Sequence, residues 1–275
     1  MHEQNSDQHN NDQLNSEETT PREVSGMTPP PLTQGIPLAE LPASWFARIN
    51  YLLIYRDRIL ESIRQDVGLG VISRTMIVIV AIMGLVYGLV MGGTNLFQGA
   101  DVSLLDNLLM IVTVALKVPI LFLLTLLIVL FPIFVSGTLL GSRISFAQTA
   151  AILLTSSAVT VTVLASMATV SFFFALTTQS YTFMKLLHVM FFGYAGVCGI
   201  SFLSFAYRKV SLDRSLDSQS FVFGLWLILY AFVGTQLAWT LRPFIGAPSM
   251  EFSLFRPRSG SFYEELFKIL TTMLD

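Results

Sequence analysis

The chain has 275 residues, 53% of them apolar and only 12% charged, with a mean hydropathy of +0.66. Soluble domains carry roughly a quarter charged residues, so this composition excludes an ordinary soluble domain and points to the membrane class. A net charge of −2 excludes a basic nucleic-acid-binding face. The single cysteine, Cys198, excludes a disulfide framework or a CxxC site and reads as a small buried apolar residue.

Residues 1–40 are rich in Asn, Gln, Asp, Glu, Ser and Pro and nearly free of large apolar side chains. Such a segment cannot bury enough surface to offset its ordering entropy, so a disordered cytoplasmic tail is expected. Its polar, acidic start lacks the apolar stretch of a cleavable signal peptide, and none is expected. Across 44–67 the pattern changes: Trp45, Ile49, Leu52, Leu53, Ile59, Leu60 and Ile63 recur at helical spacing behind Ser44 as N-cap. Arg48, Arg56, Arg58 and Arg64 fall among them. The spacing predicts a basic amphipathic juxtamembrane helix lying on the membrane surface; the alternative is a helix docked on a soluble partner or on the protein's own loops.

Five apolar runs follow, at 75–91, within 108–140, and at 147–176, 186–206 and 221–241. About 20 apolar residues cross a hydrocarbon core of about 30 Å, so 74–241 is expected to be a bundle of five transmembrane helices and the fold class an all-α membrane protein. The second and third runs exceed that length, which implies tilting or surface-lying ends. Arg48, Arg56, Arg58, Arg64 and Arg74 precede the first run, whereas the following loop carries Asp101 and Asp106 and no Lys or Arg. Arg143 follows the second run, and Arg208, Lys209 and Arg214 precede the fifth. Positive charge concentrates on the cytoplasmic side, so the N-terminus is expected inside and the C-terminus outside. Arg242, Arg256, Arg258 and Lys268 in the last segment run against that orientation.

Gly84, Gly88 and Gly92 stand four apart on one face of the first span, and Gly193, Gly196 and Gly199 three apart in the fourth. Small residues at such spacing let helix backbones approach closely, so both sets are expected at helix contacts. The third span carries Thr155, Ser156, Ser157, Thr160, Thr162, Ser166, Thr169 and Ser171. These hydroxyls either bond the preceding turn or a neighbouring helix, or line a polar path. Lys117 is the one charge in the runs, and no Asp or Glu there faces it. Either it sits at depth as a partner or path residue, or Pro119 marks the first turn of a helix beginning near 118 and Lys117 is an outer-surface anchor. The second is the preferred reading. His188, the only histidine of the membrane domain, is expected at the interface. There is no HExxH, P-loop, GxGxxG after a strand, or GxSxG. No catalytic residue, cofactor or metal site is therefore expected, and the chain reads as non-enzymatic.

The last segment, 242–275, interleaves Arg242, Pro243, Phe244, Phe255, Arg256, Pro257, Arg258, Phe262 and Tyr263, then Leu266, Phe267, Ile269, Leu270 and Met273. It is expected to form a structured external loop and a short amphipathic helix, with Arg242, Arg256 and Arg258 as candidate partner residues. A polar cytoplasmic tail, a basic pre-membrane segment and five closely spaced spans over 45–241 resemble the Yip family, five-span proteins named for interacting with Ypt/Rab GTPases, in a prokaryotic form. The Asp-Leu-x-Gly-Pro signature of the eukaryotic members is absent, so no functional residue is carried over. The resemblance implies a scaffold or membrane-organisation role with membrane lipids, a protein bound through the N-terminal tail or outer loop, or further copies of the chain as partners. A small channel or transporter subunit, with a path along the third span, is the alternative.

Overall fold

The computed structural model describes residues 54–94, 104–139, 143–178, 180–210, 216–241 and 271. Among these the chain is all-helical: α1 (Arg56–Arg64), α2 (Leu69–Gly93), α3 (Leu104–Leu139), α4 (Phe146–Ser166), α5 (Ala168–Thr177), α6 (Tyr181–Val210) and α7 (Leu216–Leu241). Four segments are long and apolar enough to cross a membrane: Leu69–Gly93, Leu105–Leu139, Phe146–Thr177 and Thr182–Val210. The third of these joins α4 and α5, which are separated only by a break at Met167. The fifth predicted run lies in α7, whose described apolar stretch is Trp226–Ala238. The 1–40 tail, the 44–53 part of the juxtamembrane helix and the external segment, Thr271 apart, lie outside the described residues.

The juxtamembrane helix departs from the surface-lying expectation. Its described part is nine residues long, and Ile59, Leu60 and Ile63 are all buried in the same core as Met76, Ile79 and Leu153. The physical reason lies in the partners its polar groups find on the bundle. The Gln148 amide donates to the Ile63 and Arg64 carbonyls at 2.9 and 3.3 Å, satisfying acceptors that a helix C-terminus leaves open. Gln148 is itself fixed by a capping box, its backbone N–H donating to the Ser145 hydroxyl and its carbonyl oxygen accepting from the Ser145 N–H. Asp57 pairs with Lys209 on α6, and the Arg56 guanidinium stands 5.0 Å from the Phe205 ring centroid.

A sharp turn then aims the chain into α2. The Val67 N–H donates to the Ser62 carbonyl and the Asp66 N–H to that of Ile63, a Schellman closure with Asp66 left-handed at φ 60°. Gly68 follows at φ 67° as N-cap of α2; a side chain there would strain the backbone. Beside the turn, Arg64 and Gln65 both donate to Glu61, and the Arg64 hydrogen bond is the main cause holding the Glu61 carboxyl below its usual range. A depressed carboxylate contributes stability above its unfolded pKa and loses it as the pH falls through the folded value. The pair is partly exposed, so that contribution is small.

The centre of the fold is the face of α2 running through Ile72, Met76, Ile79, Val80, Gly84, Tyr87, Gly88, Met91 and Gly92, all buried. It packs chiefly on α3 and α4. A Cβ added to Gly84 would lie 3.1 Å from the Pro119 Cα, to Gly88 2.7 Å from the Ala115 Cα, and to Gly92 2.9 Å from the Ile111 Cα. The partners descend as the glycines ascend, so the two helices run antiparallel with their backbones in contact. Gly199 makes the equivalent approach on α6: a Cβ there would collide with the Thr160 hydroxyl of α4. Gly193 and Gly196 do not make the close contact expected of them, since a Cβ at either meets no described atom within 4 Å. A three-residue repeat drifts around a helix, and only Gly199 of the three turns toward α4.

These geometries rank a substitution series. Gly88→Ala is expected to lower the thermal midpoint in detergent most, because backbone must move to admit the methyl group; overpacking of this kind costs about 1–3 kcal/mol. Gly92→Ala should cost somewhat less and Gly84→Ala least. Gly193→Ala should be neutral or stabilising, since alanine exceeds glycine in helix propensity by about 1 kcal/mol. Equal effects at positions 88 and 193 would mean that the α2–α3 seam is not a close contact.

Candidate functional site

Polar side chains inside a bundle of apolar helices require partners, because nothing in hydrocarbon replaces water. The described residues hold one deep cluster that joins three elements. Tyr87 sits on the buried face of α2 between Gly84 and Gly88, with none of its surface exposed. Its hydroxyl lies 2.7 Å from Nδ1 of His188 on α6, which is equally buried. The other ring nitrogen, Nε2, lies 3.4 Å from the Ser171 hydroxyl on α5. Both contacts are satisfied when Tyr87 donates to Nδ1 and the Nε2–H points at Ser171, that is, by a neutral imidazole.

Aromatic rings extend the cluster. Tyr87 meets His188 edge-on with centroids 5.7 Å apart and meets Phe192 in the same way at 5.7 Å. Phe192 in turn stacks on Phe122 of α3 at 6.2 Å and 7°. His188 is thus not the interfacial residue expected: α6 begins at Tyr181, which carries position 188 two turns into the helix and against α2. Nothing local marks the pair, since 101 residues separate its members. The available signal was Tyr87 itself, a polar-tipped ring on the glycine stripe, which needs an acceptor if that stripe is buried.

The hydroxyls of α4 are largely consumed. Thr155 donates to the Ala151 carbonyl at 2.7 Å, Thr160 to Ser156 at 2.9 Å and Thr162 to Ala158 at 2.7 Å. Ser156 crosses to the Gly199 carbonyl of α6 at 2.8 Å, and Ser157 lies 3.3 Å from the Tyr230 hydroxyl of α7. Of the eight, Ser166 and Thr169 are exposed.

Lys117 is half-buried, and α3 runs unbroken from Leu104 past it, so Pro119 is not in a first turn as expected. Because Ala115 abuts Gly88 and Pro119 abuts Gly84, Lys117 is level with the interior of α2 and not with its end. Pro119 leaves the Ala115 carbonyl without its helical donor. That oxygen lies 3.1 Å, and the Val114 oxygen 3.0 Å, from where a Gly88 Cβ would stand, so only glycine leaves room beside this stretch of backbone. Arg242, Arg256 and Arg258 lie outside the described residues. Among the described residues, no three His, Cys, Asp or Glu side chains converge on one point.

Comparison with protein-family models, with curated proteins and with solved structures finds no match.

Tyr87→Phe strips the buried imidazole of its short hydrogen bond, and such pairs within membranes average about 0.6 kcal/mol with a maximum near 1.7. The expected result is a lower thermal midpoint for Tyr87→Phe and for His188→Phe, with the double variant less destabilised than the two singles combined. Strict additivity in that cycle would show that the two side chains are not coupled.

Proposed function

We propose that this chain is a five-span integral membrane protein with a cytoplasmic N-terminus and an external C-terminus, acting without catalysis as a Yip-like scaffold or membrane-organisation factor. Its partners in this reading are lipids, a protein engaged by the tail or outer segment, and further copies of the chain. The carrying observation is the state of the α4 hydroxyls. Thr155, Ser156, Ser157 and Thr160 are buried and spent on helix carbonyls or on Tyr230, which builds a rigid core and weighs against a polar path along this helix.

The orientation draws support from one end of the bundle. Gln148–Ile63 and Asp57–Lys209 contacts gather α1, the start of α4 and the end of α6 there. Arg56, Arg58, Arg64, Arg208 and Lys209 accompany them, an excess of positive charge suited to the cytoplasmic side. In a Cys198→Ala background, cysteines at 100 and 250 should react with a membrane-impermeant reagent in intact cells, and cysteines at 30 and 143 should not. Reaction at position 30 would reverse the orientation.

The functional test is purification in nanodiscs. A stoichiometric partner is expected, released by deleting residues 1–40 or by Arg256→Ala with Arg258→Ala. Solute flux through proteoliposomes that Thr160→Val abolishes would replace the scaffold by a channel or transporter.

A further inference from the structure

Between α6 and α7 the helices leave a groove. Among the described residues the two make little direct contact, and a cavity of about 390 Å³ separates them, within the range of small-molecule sites. Its floor is Phe122 and Thr125 of α3 with Thr160 of α4, and its walls include Gly193 and Gly196 on α6 and Tyr230 and Gly234 on α7. No described atom lies within 4 Å of a Cβ at 193 or 196, so that wall is bare backbone.

The groove carries no charged residue, and its hydroxyls are already engaged. Thr125 donates to the Leu121 carbonyl at 2.7 Å, Thr160 to Ser156 at 2.9 Å and Thr235 to Ala231 at 2.8 Å, while Tyr230 meets Ser157. A carboxylate entering here would lose its water where most hydroxyl protons are already donated, and an ammonium or polyol would find only hydroxyl oxygens and no counter-charge. A hydrocarbon chain loses nothing and supplies the dispersion contacts that bare backbone lacks. Beside the groove the outward side chains are apolar and open: Val197 is 64% exposed, Ile228 67% and Phe232 51%. Val197 stands on α6, which is apolar enough to cross a bilayer, and in the five-span reading α7 crosses beside it, so in that reading these faces look onto lipid tails.

We propose that this groove binds an acyl chain of a bilayer phospholipid, whose headgroup stays outside because the lining offers it no counter-charge. The bound chain completes the packing between α6 and α7 and lies against Phe192, which also touches Tyr87. The proposal rests on α7 crossing the membrane beside α6, part of the five-span reading, and the cysteine labelling at positions 100 and 250 tests that reading separately.

The experiment reconstitutes the full chain in nanodiscs of phosphatidylcholine and phosphatidylglycerol. One arm contains a phospholipid with a diazirine on its acyl chain, the other a diazirine free fatty acid. With the phospholipid, adducts are expected to concentrate at 189–200 and 230–238, in excess of those at the exposed Leu127 and Phe131 of α3. Gly196→Leu, whose side chain enters open space, should reduce groove adducts on the order of tenfold, since each excluded methylene costs roughly fourfold in affinity. Ala231→Leu obstructs the same space from α7 and serves if the first variant misfolds. The map on the unaltered chain decides occupancy by itself. Adducts spread evenly over outward faces and indifferent to both variants would overturn the site. So would groove labelling by the free fatty acid in preference to the phospholipid, or a disulfide between two copies carrying Val197→Cys in the Cys198→Ala background, which would reveal a second copy at the groove.

Discussion

The backbone contact between Gly88 and Ala115 is the constraint on which the rest of the molecule depends. Helices in hydrocarbon gain little from burying apolar surface, because lipid tails are as apolar as leucine; they gain from fitting closely. Three glycines on one stripe let α2 lie against Ile111, Ala115 and Pro119 in a single antiparallel register. A slip of one turn would bring Gly88 to Ile111 or to Pro119 in place of the small Ala115. With the register set, Tyr87 is presented to His188 on α6, and the aliphatic part of α2 to α4.

Polar groups in this interior behave as low dielectric demands. The hydroxyls of α4 bond within their own helix or reach Gly199 and Tyr230. The imidazole of His188 holds a partner on either side. These bonds contribute modestly one by one, but each unmade one would cost more than it gives. The α4–α6 crossing shows the two devices together: Gly199 clears space for Thr160, and its carbonyl receives the Ser156 hydroxyl.

What the residues disclosed in advance follows from periodicity. Apolar runs longer than a bilayer core marked the long helices, and the four-residue spacing of Gly84, Gly88 and Gly92 put small residues on one stripe before any partner was known. What they concealed depends on segments distant in the chain. The docking of α1 is fixed by Gln148, some eighty positions on, so its apolar side looked like a surface for lipid. His188 read as interfacial because its partner lies on another helix. Lys117 and Pro119 suggested a helix start only because nothing local reveals that α3 continues unbroken through Pro119. The repeat at 193, 196 and 199 looked uniform in the sequence, yet only its last member meets another helix.

The length of α3 has a consequence for the surroundings of the protein. At about 1.5 Å per residue its 36 residues reach about 54 Å, against about 37 Å for the 25 of α2. Leu105 and Leu139, at its two ends, are 70% and 81% exposed. A helix whose greasy surface outruns the hydrocarbon around it is mismatched, at a cost of a fraction of a kcal/mol for each ångström left over. In a hydrocarbon core of about 30 Å the excess is taken up by tilting, by the surrounding lipid or by ends that lie beyond the core, as the Asp106 carboxylate in the first turn would require.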